Sequence, residues 1–75
     1  VLINCRVRSR VELANIEGYA TLLKNKEKEL EGEGRIFIRY SGTEPLIRIL
    51  VEGADKKKIT AIAEQMANFL EKEIS

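Results

Sequence analysis

The chain's 75 residues, 44% hydrophobic and 33% charged, suit one small globular domain with a modest core, too little for the layered pocket of a self-sufficient enzyme. The absence of His, with Cys5 the only Cys and Asp55 the only Asp, excludes a His general base, an internal disulfide, a Cys-ligated zinc site and an Asp-rich Ca²⁺ or Mg²⁺ loop. A net charge of +1 sets up no field for nucleic acid or membrane, and no apolar run approaches the roughly 20 residues of a membrane span.

From Val1 to about Arg8, Val1, Ile3, Cys5 and Val7 alternate with Leu2, Asn4, Arg6 and Arg8. That period of two predicts a half-buried strand. Cys5 falls on its apolar side, a small core residue with no base nearby to activate it. A helix is predicted from about Asn15 to Leu30, with Ile16, Tyr19, Ala20, Leu23 and Leu30 mostly on one side. Asn15 is its N-cap, Glu17 suits the first turn, and Gly18 weakens the start. The mixed-sign run Lys24–Glu29 reads as a solvated face, and Gly32 and Gly34 end the helix.

Two strands follow. Over Arg35–Tyr40, Ile36, Ile38 and Tyr40 share one face and Arg35, Phe37 and Arg39 the other. Over Leu46–Glu52, Ile47, Ile49 and Val51 share one face and Leu46, Arg48 and Leu50 the other. The Ser41–Pro45 stretch between them exceeds a two-residue hairpin turn but is short enough to join antiparallel neighbours. After Gly53 and Ala54, Asp55 caps a last helix running from about Lys56 to Glu73. Its Ile59, Ile62, Ala63, Met66, Phe69, Leu70 and Ile74 form a continuous apolar stripe that reads as core. The order β-α-β-β-α predicts an α+β layer: a small, mainly antiparallel sheet with both helices on one face. The other face would carry Arg6, Arg8, Arg35, Phe37 and Leu50, as solvent surface or for docking to another domain.

The charge distribution says more than its total. All six Arg lie between Arg6 and Arg48 on strand or loop segments, whereas the Lys fall on helices. Arg makes the planar bidentate contacts that phosphate favours. The chain begins inside a strand-like run without an initiator Met, as expected either after processing or of a piece excised from a longer protein. A single Cys and a start without a basic n-region and long apolar segment favour a cytoplasmic setting.

The informative stretch is Arg39-Tyr40-Ser41-Gly42-Thr43-Glu44-Pro45-Leu46-Ile47-Arg48. Gly42 admits positive φ and close backbone approach, and turn-like backbone can aim successive N–H groups into an anion nest. Ser41 and Thr43 add hydroxyls, and Pro45 stiffens the exit. Arg39 and Arg48, on adjacent strands, can converge on one ligand, together matching a phosphate dianion. The plainer alternative is a polar turn flanked by exposed strand Arg. The stretch lacks the P-loop spacing and precedes a strand, so no helix dipole assists.

The same ten residues, with Ile49-Leu50-Val51-Glu52-Gly53 after them and Gly34-Arg35-Ile36-Phe37-Ile38 before, resemble the phosphate-binding loop of the α-D-phosphohexomutases, most of all the phosphoglucosamine mutases. The resemblance covers essentially the whole chain, as the C-terminal, fourth domain of a multidomain enzyme. It implies a TATA-box-binding-protein-like fold for residues 1–75, and a parent that interconverts glucosamine 6-phosphate and glucosamine 1-phosphate through a phosphoserine and a bisphosphate, with Mg²⁺ assisting. By the same resemblance, Arg39, Ser41, Gly42, Thr43 and Arg48 hold the phosphate that is not being transferred. Glu44 is given no ligand contact; it pairs with an Arg or shapes the loop. The family's Ser-His-Asn-Pro, Asp-Gly-Asp and Glu-Glu-Ser-Gly loops have no counterpart, and Ser9, Ser41 and Ser75 lack the surroundings of a phosphoserine. Neither the catalytic serine nor the Mg²⁺ ligands are therefore expected on this chain, which should be inactive alone.

The expected partners are a phosphosugar and the parent's other domains, with no nucleic acid and no membrane, and the isolated domain is expected to be a monomer. A sibling phosphomannomutase or phosphoglucomutase specificity stays open. So does a small nucleic-acid-binding α+β module using Phe37 and Tyr40. Against the latter stand the near-zero charge, the expected placement of these two rings on opposite faces, and the missing RNA-binding signatures. A purely structural docking domain is the remaining alternative.

Overall fold

The computed structural model describes residues 1–8 and 10–74; Ser9 and Ser75, two of the serines weighed above, lie outside them. Strand β1 (Leu2–Arg6) leads through a 3-10 turn (Leu13–Asn15) to helix α1 (Tyr19–Glu29). Strands β2 (Gly34–Tyr40) and β3 (Leu46–Gly53) follow, then helix α2 (Lys56–Ile74). All pairings are antiparallel and the sheet order is β1-β3-β2, so β3 is central. This is the expected α+β layer.

One sheet face is the core. Ile47, Ile49 and Val51 of β3 are fully buried, and α2 covers them with Ile62, Ala63, Met66 and Leu70. Seven of α2's residues are buried, six of which the apolar stripe anticipated; Ala67 is the addition and Phe69 is half-buried. The cap is as expected: the Lys58 N–H donates to Asp55 Oδ1 at 3.2 Å. Helix α1 packs against β2 and α2, inserting Tyr19 while Leu30 closes the core just beyond it. Cys5, on β1, is 2% exposed. Burial, and secondarily the charge of Glu71, pushes its thiol pKa up, as befits a packing residue.

Most boundaries match to within a residue; the following differ for a local reason. β1 stops at Arg6 rather than Arg8: the Val7 N–H makes a last bond to the Pro45 carbonyl at 2.9 Å, after which the chain leaves the sheet. Arg8 is thus not on the open face. Helix α1 starts at Tyr19, not Asn15, because Asn15 closes the 3-10 turn and Gly18 adopts φ 85°, a left-handed entry that glycine takes without strain. Gly34 belongs to β2 rather than to the helix terminus. A Cβ there would sit 2.2 Å from the Glu52 carbonyl oxygen, so only glycine permits β2 to pair with β3 at that point.

The opposite face is open, and the register orders it in rows. Leu50 lies between Leu2 and Phe37, which are 54% and 46% exposed. In the next row Arg48 lies between Asn4 and Arg39. The charged row is the one nearer the β2–β3 loop.

Candidate functional site

Antiparallel register makes Arg39 and Arg48 direct cross-strand partners on the open face. Like charges placed opposite each other destabilise a sheet, and a bound anion turns that repulsion into attraction. Both side chains border a recess of about 600 Å³ that extends over Phe37 and Leu50 and around the β2 edge to Tyr19 and Leu23.

Between these strands the loop closes through two backbone bonds: Ser41 N–H to the Leu46 carbonyl at 2.9 Å, and Leu46 N–H to the Glu44 carbonyl at 2.8 Å. Ser41 is 7% exposed, and its Oγ accepts the Thr43 N–H at 3.4 Å, leaving the hydroxyl proton to donate elsewhere. The N–H groups of Gly42 and Glu44 find no partner among the described residues, as an anion nest requires.

Gly42 does not use the positive φ open to it. No residue of the loop has positive φ, because these short bonds close it without a left-handed residue. What Gly42 does supply is room, since the position of a Cβ there is clear for 4 Å. Gly42→Ala should therefore leave the melting temperature nearly unchanged while weakening phosphate binding, a contrast read by pairing a thermal melt with a phosphate titration.

The five expected residues gather at one end of the sheet but do not line one recess. Gly42 and Thr43 border a second depression, of about 290 Å³, together with Val7, Arg8, Arg10, Glu44 and Pro45. Glu44 shapes the loop through its carbonyl, and no ion pair joins its carboxylate to an Arg among the described residues.

Sequence reasoning missed the segment after β1. It crosses on the helix-bearing side and touches both ends of the loop. Val7 binds Pro45 as above, and the Arg10 guanidinium donates to the Ser41 carbonyl. The same guanidinium lies 5.5 Å from the centroid of the Tyr40 ring. The Tyr40 hydroxyl accepts the Val11 N–H at 2.8 Å and donates to the Val11 carbonyl. Tyr40 thus faces the helix side while Phe37 stands on the open face, so the two rings form no common stacking platform. Among the described residues no three His, Cys, Asp or Glu side chains form a group that could hold a metal ion. None of the described helices is long and apolar enough to cross a membrane.

This layered α+β domain brings two exposed Arg, paired across β2 and β3, beside a loop whose Gly42 and Glu44 N–H groups have no partner among the described residues. The family described as phosphoglucomutase/phosphomannomutase, C-terminal domain, matches residues 2–69. The chain belongs to that family. It is 57% identical to a phosphoglucosamine mutase of Bdellovibrio bacteriovorus over 100% of its own length and 16% of the relative's. Against the phosphoglucosamine mutases of Geobacter metallireducens and Syntrophotalea carbinolica it is 49% and 45% identical, over 99% of this chain and 16% of each relative. The chain thus spans about a sixth of the length of these relatives.

Proposed function

We propose that this chain is the C-terminal domain of a larger phosphohexose mutase and that it holds the substrate phosphate that is not being transferred. The observation that carries this reading is the direct pairing of Arg39 with Arg48 beside a loop whose Gly42 and Glu44 N–H groups have no partner among the described residues. Arg39 and Arg48 supply charge and bidentate donors, Gly42 supplies a backbone donor and clearance, and Ser41 and Thr43 supply hydroxyls. The names of the relatives favour glucosamine phosphates as substrates, with a phosphomannomutase or phosphoglucomutase specificity as the sibling reading. A cytoplasmic setting accords with phosphosugar chemistry.

The proposed role is positioning. A mutase that moves a phosphoryl group between two positions of one sugar must accept the substrate in two orientations. A socket that reads only phosphate serves both. Binding energy gathered there orients the distant reacting end and favours closure of the cleft. Transfer itself belongs to a phosphoserine elsewhere in the proposed parent. Mg²⁺, when bound there, stabilises charge on the phosphoryl group in transit.

Two measurements test the reading. In a titration with inorganic phosphate, backbone amide shifts should concentrate at Ser41 to Glu44; shifts spread over the Phe37 face with an oligonucleotide, and none at the loop with phosphate, would instead support nucleic-acid binding. The chain alone should show no mutase turnover with glucosamine 6-phosphate, and turnover by a sample free of longer enzyme would overturn its assignment as a non-catalytic wall.

A further inference from the structure

We infer that Arg10 is a positioning residue for the phosphate loop: by holding the Ser41 carbonyl, it aims the Gly42 N–H at the anion. The inference rests on the phosphate-site reading above and extends it to a residue outside the loop.

The geometry begins with the peptide unit. In a planar trans peptide the C=O and the following N–H point in opposite directions. The Ser41–Gly42 bond is trans, since no cis peptide occurs among the described residues. Its carbonyl is drawn to the Arg10 guanidinium on the crossover side. Its N–H, that of Gly42, must then point away from Arg10, and it has no partner among the described residues. Without Arg10 this peptide plane is free to rotate, because none of the loop's own hydrogen bonds engages either of its polar groups.

Arg10 is itself fixed from two sides. Its guanidinium lies over the Tyr40 ring, and the next residue, Val11, is bound through both its N–H and its carbonyl to the Tyr40 hydroxyl. Val7 binds the loop's exit at Pro45, three residues before Arg10. One short crossover therefore fastens both ends of the loop, with Arg10 setting the one peptide that matters for the nest. The planar fork of Arg can stack on Tyr40 and donate at the same time, which Lys cannot do.

The test follows inorganic phosphate binding by backbone amide shifts in the chain and in its Arg10→Ala, Arg10→Lys and Arg39→Ala variants, at low and high salt. Arg10→Ala should weaken phosphate binding about tenfold and selectively diminish the phosphate-induced shift of the Gly42 amide relative to Thr43. The loss should be the same factor at both salt concentrations, because Arg10 acts through a peptide plane rather than through its charge. Arg10→Lys should recover only part of the affinity. If Arg10→Ala fails to fold, Arg10→Lys carries the test: wild-type affinity with an unchanged Gly42 response overturns the inference. Arg39 separates the two readings. If Arg39→Ala weakens binding about tenfold or more while the Arg10 variants match the wild type, the phosphate site stands and the role of Arg10 falls. If Arg39→Ala binds as well as the wild type, the site reading itself falls.

Discussion

Arg39→Ala should weaken phosphate binding by about tenfold to a hundredfold while leaving the fold intact. Arg39 is exposed, and its backbone, not its side chain, makes the β2–β3 ladder. Truncation therefore removes a charge-assisted donor without opening a core cavity. It also relieves the repulsion from Arg48 directly opposite, so the thermal melt should stay level or rise slightly. Isothermal titration with phosphate, paired with a melt, checks both halves. Falling affinity with steady stability identifies a ligand contact, whereas unchanged affinity would return Arg39 to ordinary surface.

The second large effect is expected at Ile49. This residue is fully buried at the centre of β3, between Ile3 and Ile38 in register and beneath α2. Ile49→Ala should cost about 2–5 kcal/mol, since little around a central strand can collapse into the space. For a domain of 75 residues the whole folding free energy is about 4–11 kcal/mol. The loss is a large share of that, and the melting temperature should fall by about 8–40 °C. A shift of only a few degrees would mean that the helices close over the gap.

The contrast between these two positions shows what the sequence could reveal. Alternation along Arg35–Tyr40 and Leu46–Glu52 sorted Ile47, Ile49 and Val51 from Arg39 and Arg48, because a pleated strand leaves a side chain only two directions. The stripe of α2 was equally legible, since 19 residues give five turns of repetition. The start of α1 was not. Asn15 has the chemistry of an N-cap, but three residues later Gly18 takes a left-handed conformation, and the 3-10 turn ahead of it satisfies the backbone by another route.

In the site, the motif itself was readable because its residues are consecutive. Its support was not. Arg8 and Arg10 lie some thirty positions from the loop, and the alternation from Val1 to Arg8 placed Arg6 and Arg8 on one strand face and gave Arg10 no role. Only the departure of the chain from the sheet after Val7 takes Arg8 off that face and brings Arg8 and Arg10 beside the loop. Residue type left Gly42 free to be left-handed, and the loop closes through the bonds of Ser41 and Leu46 without that conformation.

The strand order has a kinetic consequence. β2 and β3 are joined by five residues and α2 follows directly, but β1 reaches β3 only by closing a far longer stretch, with Val1 meeting Val51 across 50 positions. Closing that stretch costs more entropy before any contact rewards it. The hairpin and α2 should therefore assemble first and β1 last, which pulse-labelled hydrogen exchange during refolding would register as late protection of the Ile3 and Cys5 amides. The crossover bearing Arg10 is tethered to β1 and arrives with it. A half-folded chain would already display Arg39, Arg48 and the loop between them, yet its nest would stay unset until the first strand of the sequence became the last to join the sheet.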